Sequence, residues 1–171
     1  ADFSFTTRST GYNTGTVIES YETISDFWDP ETSGSTIGTN NSLTTFIASA
    51  YVRHSGSYSG ELSYVFTGTS GGVCRVFDTQ KPSIGRNENS IFGIWVFGDL
   101  SYNALEYWFY SSGTINHIVV VDTIDWAGWD FKTIPFTSIG ASGDILFHST
   151  VLRQTEIGSA TGTVWFDNAV I

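Results

Sequence analysis

Residues 60–66 place Leu62, Tyr64 and Phe66 at every second position, with Glu61, Ser63 and Val65 between them. A glycine precedes this run and the turn-rich stretch 68–72 follows it, which is the signature of a half-buried β-strand. No window of the chain carries the three-and-four-residue recurrence of a long amphipathic helix, whereas the two-residue period returns repeatedly. The pattern predicts further strands over 43–52, 73–78, 91–97, 105–110, 115–121, 130–136, 145–152 and 163–170. With one or two near the N-terminus the count reaches about ten. Short strands at hairpin spacing, joined by segments such as GYNTG, TGTSGG and GSATG, predict an all-β fold. Its expected form is a β-sandwich or jelly roll of two antiparallel sheets.

None of the connecting segments is long enough to be an interdomain linker, and no internal repeat is present, so residues 1–171 are expected to form a single domain. The first ten residues carry no basic, hydrophobic signal region, and no apolar run spans eighteen residues, which predicts a soluble, already trimmed chain. Its last strand runs to the final residue, as in an excised module. Seven basic against seventeen acidic side chains give a formal charge of −10, which disfavours nucleic acid and membrane partners. The single cysteine, Cys74, has no internal disulfide partner and reads as a small buried hydrophobe in an apolar strand.

Five short patterns occur in a fixed order: IESYETISDFW, RHSGSYSGELSYVF, IFGIWVFGDLSYNAL, IDWAGWDF and GTVWFDN. Together, over roughly residues 17–170, they resemble the jelly-roll carbohydrate-binding modules related to families 4, 11 and 22, and similar β-sandwich appendages of secreted bacterial polysaccharide-active proteins. The resemblance implies a monomeric, non-catalytic, extracellular module that binds a polysaccharide on a concave sheet and targets a covalently linked enzyme to it. It also implies a structural Ca2+, a hard cation that takes six to eight oxygens from carboxylates and main-chain carbonyls. By that resemblance Glu22 and Asp167 match the family's calcium carboxylates, and the carbonyls of Ser20 and Ser57 its main-chain ligands. Glu19 is a reserve carboxylate, and Arg53 or His54 stands where the family often has a further side-chain oxygen. The alternative is that Glu22 and Asp167 are solvated edge residues.

A sugar site needs flat aromatic faces with polar groups beside them. In 105–110 strand parity puts Leu105, Tyr107 and Phe109 on one face and Glu106, Trp108 and Tyr110 on the other. A carboxylate beside Trp and Tyr makes an odd core and a plausible sugar platform, with Glu106 accepting from hydroxyls and the rings stacking. The alternative is that an edge sheet packs these rings against a loop. Arg75 and Phe77 share a face of 73–78, and His148 and Thr150 one of 145–152, so these groups are expected to line the same groove. Arg75 is equally suited to pair with a carboxylate. Trp126 and Trp129 are expected to pack, Trp95 to lie in the core and Trp28 to cap one end of the sandwich.

Two other classes remain open. A jelly-roll glycanase needs two carboxylates facing across a cleft, yet the acids sit mainly in turns and at strand ends. A lyase needs a cationic cleft, which two lysines and five arginines supply poorly, although His117, His148 and Tyr107 are available. The third class is a structural or adhesive spacer without a sugar site. The overall acidity favours a neutral glucan, xylan, mannan or galactan over sulfated polymers, unless the local potential overrides the mean.

Overall fold

The computed structural model describes residues 15–30, 34–85, 89–111 and 113–171, with backbone alone at 114–116. Its strands are β1 (Val17–Glu19), β2 (Phe27–Trp28), β3 (Thr45–Ser49), β4 (Ser59–Val65), β5 (Val73–Asp78), β6 (Ser83–Ile84), β7 (Ile91–Asp99), β8 (Ala104–Ser111), β9 (Thr114–Thr123), β10 (Ala127–Pro135), β11 (Ile145–Arg153) and β12 (Thr161–Val170). The first sheet has the order β10-β7-β12-β4-β3, with β1 added on β12. In the second sheet the order is β2-β5-β11-β8-β9, with β6 added on β11. Neighbours pair antiparallel throughout. The fold is an all-β sandwich of two antiparallel sheets, as the two-residue period predicts.

The core between the sheets is built by that period. Leu62, Tyr64 and Phe66 enter from β4 and the residue after it, Phe92, Ile94 and Val96 from β7, and Leu105, Tyr107 and Phe109 from β8. Val164 and Phe166 come from β12, and Phe147 and Leu152 from β11. Phe92 packs edge-on against Tyr107 and Phe109, with ring centroids 5.2 and 5.3 Å away, so aromatic contacts help interlock the two sheets. Cys74 is fully buried among them, and burial pushes its thiol pKa well up, which leaves it an inert core residue.

Three sequence expectations are corrected here. Residues 43–52 form a strand only over Thr45–Ser49, because the following loop folds back onto the sheet. Trp95 lies on the outer face of the first sheet, not in the core, since Ile94 and Val96 already occupy the inward positions of β7. Thr150 does not share a face with His148. A bulge between Phe147 and Ser149 inserts one residue opposite β8, so Thr150 falls directly across from the core residue Tyr107. Gly60 allows a close approach within the core, where a Cβ would stand 2.3 Å from the Phe46 ring.

Candidate functional site

The outer face of the second sheet gathers all six residues singled out for sugar binding: Trp108, Tyr110, Glu106, Arg75, Phe77 and His148. Neighbouring strands β5, β11 and β8 supply them, and the β11 bulge sets Ser149 on this face next to His148. The His148 ring stacks on Phe77, with centroids 4.3 Å apart and planes at 20°, and on Tyr110 at 5.7 Å and 19°. Parallel rings thus stand in a row across three strands. Trp28 on the neighbouring β2 meets Phe77 edge-on at 4.8 Å and remains about half exposed, which places it at the rim of this face and not at an end of the sandwich.

Two roles differ from those the sequence suggests. Trp108 is only 7% exposed, packed with Val73 and Val151, so it forms the floor of the face and not its surface. Glu106 is buried and engaged within the protein. It accepts from Trp108 Nε1 at 2.8 Å and from Arg153 Nε and Nη2 at 2.5 and 3.1 Å, which fixes the indole ring in place. The half-buried Tyr110 and the rim residue Trp28 are the rings left facing outward.

Above the row lie two cations. The Arg75 guanidinium carbon is 4.9 Å from the Phe77 ring centre and 5.9 Å from that of Trp108. Lys81 was not singled out in the sequence, and nothing in the segment around it signals a role. It has a left-handed backbone (φ 48°) that carries its Nζ to 5.4 Å from Phe77 and 5.1 Å from Tyr110. His148 Nδ1 shares a hydrogen bond of 2.7 Å with Ser149 Oγ. Burial, reinforced by Arg75 and Lys81, pushes the His148 pKa down to about 4, so the ring is neutral at ordinary pH.

At the opposite side of the molecule Glu22 and Asp167 hold one loop. Asp167 Oδ2 accepts from the backbone amides of His54 and Ser55 at 2.8 and 3.0 Å, and both Glu22 oxygens accept from that of Ser57 at 2.9 and 3.1 Å. The grip is close: at Gly56 (φ 60°) a Cβ would overlap Glu22 Oε1. Asp167 is fully buried, and burial first, with a contribution from the charge of Glu22, raises its pKa despite the two amides. Asp167 is therefore not a solvated edge group, whereas Glu22 remains partly open to water while it holds the same loop. Among the described residues no cluster of three or more acidic, His or Cys side chains is formed.

The outer face of the first sheet is also aromatic. Phe97 stands edge-on to Trp129 and Trp165, at 85° and 81°, while Trp95 is stacked on His54 at 3.8 Å. Rings at right angles present no common plane to a sugar. A pocket of about 260 Å³ opens beside the Trp95–His54 pair, lined also by Val17, Ser55 and Val170. Trp126 packs against the core, as expected, whereas Trp129 lies on this outer face.

Comparison with solved structures identifies the architecture. One neighbour is a family 11 carbohydrate-binding module of a cellulosomal cellulase of Clostridium thermocellum, with TM-score 0.55 and 13% identity over 91% of this chain and 92% of that one. The fold is that of the β-sandwich carbohydrate-binding modules. A second neighbour, from work on promiscuous specificity among modules of the β-sandwich superfamily, has TM-score 0.59 and 10% identity over 92% of this chain and 61% of that chain. A family 61 module solved with β-1,4-galactotriose matches at TM-score 0.47 and 13% identity over 77% of this chain and 83% of that one. No family model and no curated protein sequence matches the chain.

Proposed function

We propose that the protein is a non-catalytic carbohydrate-binding module that holds a polysaccharide on the outer face of its second sheet. The observation that carries this reading is the convergence, on a carbohydrate-binding-module fold, of Tyr110, His148, Phe77 and Trp28 with Arg75 and Lys81 on one face. Tyr110 and Trp28 would stack on the pyranose rings, while Trp108 and Glu106 hold the floor rigid beneath them. In keeping with such modules, the chain would act outside the cell and deliver a linked catalytic domain to its substrate. The Glu106 carboxylate is consumed by Arg153 and Trp108, so it is not free to act as one of the opposed acid pair of a glycosidase.

A structural calcium fits the Glu22 and Asp167 region: two carboxylates, one of them buried with a raised pKa, close on the same short loop. The carbonyls of Ser20 and Ser57 would complete the set, and the cation would neutralise the two carboxylates and lock the loop to the last strand.

Affinity electrophoresis of the wild type, Tyr110→Ala and Trp28→Ala against a broad polysaccharide panel tests the reading, with reducing-sugar and unsaturated-uronate assays run beside it. Retardation by at least one polymer, weakened in both variants and without product release, is the expected result. Binding that survives both substitutions moves the site to the Trp95 pocket. Absence of any binding leaves the spacer, and product release that scales with protein overturns the non-catalytic reading.

A further inference from the structure

The cations among the described residues are unevenly spent. In a protein with formal charge −10, Lys132 pairs with Asp122 and Asp130 and Arg153 pairs with Glu106, as carboxylate abundance would dictate. Arg75 and Lys81 behave otherwise. Like Arg53, which turns to the Ala50 carbonyl, neither has a carboxylate within ion-pair distance among the described residues, but these two lie on the aromatic face of the second sheet. Arg75 is 6% exposed, donates from Nη1 to Ser35 Oγ at 2.8 Å, and keeps a buried Nε with no hydrogen-bond partner among the described residues.

A buried guanidinium with an unmet donor is costly unless something pairs with it, because desolvation penalises charge and orphaned N–H groups alike. Desolvation lowers its pKa, but a guanidinium does not lose its proton within the working range. No described residue supplies the missing acceptor, and the planar N–H edge of arginine matches a two-oxygen anion offered from outside. Lys81 adds a second positive charge over Phe77 and Tyr110, beside the place where a sugar stacked on Tyr110 would lie. The His148 ring, stacked between Phe77 and Tyr110 with Nδ1 bonded to Ser149 Oγ, adds no charge to the face at ordinary pH.

We infer that the polysaccharide held on this face is acidic, with a carboxylate or sulfate oxygen pair on each recognised sugar received by Arg75 and Lys81. This rests on the sugar-binding reading of the same face and reverses the preference for a neutral glycan that the net charge suggests. The local field, and not the mean charge, is what a bound sugar experiences.

The test uses one polymer backbone in two charge states. Fully de-esterified polygalacturonate and its methyl ester are compared by affinity electrophoresis and calorimetry, beside a sulfated galactan and a neutral galactan. Wild-type protein should bind a charged polymer at least about tenfold more tightly than its neutral counterpart, with affinity falling as salt is raised. Whether the uronate or the sulfate polymer wins tells which anion is read. Lys81→Gln should lose about tenfold for the charged polymer with an unchanged melting temperature, and Arg75→Gln at least as much. Lys81→Gln keeps the test decisive if Arg75→Gln unfolds. Equal binding of the charged and neutral polymers, or charged binding indifferent to both substitutions, overturns the inference. If a neutral polymer is bound and Tyr110→Ala abolishes that binding, the sugar-binding reading stands while the acidic specificity falls. If no polymer binds at all, both fall.

Discussion

His148 and Asp78 show how burial works against charge at single residues. The His148 pKa is lowered to about 4, so as pH falls from about 6.5 the unfolded chain takes up a proton that the folded chain refuses. Stability is lost across that window by up to about 3 kcal/mol. Asp78, fully buried with Glu19 and Asp26 nearby, has its pKa raised to about 6 mainly by desolvation. It acts with the opposite sign: its folded form takes the proton first, and stability is gained as pH falls from 6 towards 4. The two nearly cancel in the wild type. Melting curves between pH 7 and pH 4 should therefore show His148→Gln gaining stability on acidification relative to wild type and Asp78→Asn losing it. Parallel curves for all three proteins would remove both assignments. A second residue-scale prediction concerns the floor of the face. Trp108→Ala should cost about 3–5 kcal/mol, because the indole is buried and its loss also strips Glu106 of a donor, whereas Tyr110→Ala should cost about 1 kcal/mol or less. Urea denaturation of both variants decides it.

At the scale of the strand, β8 is the element whose parity was legible from sequence. Leu105, Tyr107 and Phe109 are fully buried in the core, so Tyr107→Ala and Phe109→Ala are expected to cost about 3 kcal/mol or more each in denaturant titrations. Parity alone could not tell that the opposite face is itself largely covered, because that depends on Val73, Val151 and Arg153 arriving from β5 and β11. The bulge in β11 was equally illegible. Nothing in FHSTVL announces an extra residue, and a strict two-residue count therefore put Thr150 with His148. Trp95 was misplaced for a related reason: the run IFGIWVFG is apolar on both faces, so periodicity cannot choose between them. Trp95 instead finds His54 and Phe131, partners distant in sequence, on the outside of the sheet. Lys81 left no sequence signal at all, since its position depends on a left-handed turn after β5.

For the whole molecule, the architecture was readable because the levels of the sequence agree with it: strands alternate at period two and glycine-rich turns join them. The calcium proposal belongs to this scale, since it links strand β12 to the loop before β4. Excess chelator should lower the melting temperature by several degrees without abolishing the fold, because a ion bound only by the folded state stabilises it by mass action. Glu22→Ala and Asp167→Ala should each lose the response to added calcium. Insensitivity is the diagnostic readout, since removing Asp167 also frees two backbone amides and weakens the fold for that reason alone. A wild-type transition unmoved by chelator would dismiss the metal.

Strand β1 pairs with β12 so that Thr16 and Ile171 exchange both backbone hydrogen bonds, at 2.8 and 3.0 Å. A pulling force applied across these two residues would act perpendicular to that short ladder and open it as a zipper, one bond after another. Shear across many bonds at once would be far more resistant. If tension passes through both residues while a polymer is gripped on the second sheet, β1 would peel away first. The chain would then lengthen by a short segment while the second sheet, with its row of rings, stays folded, so the first response to load would be slack rather than release.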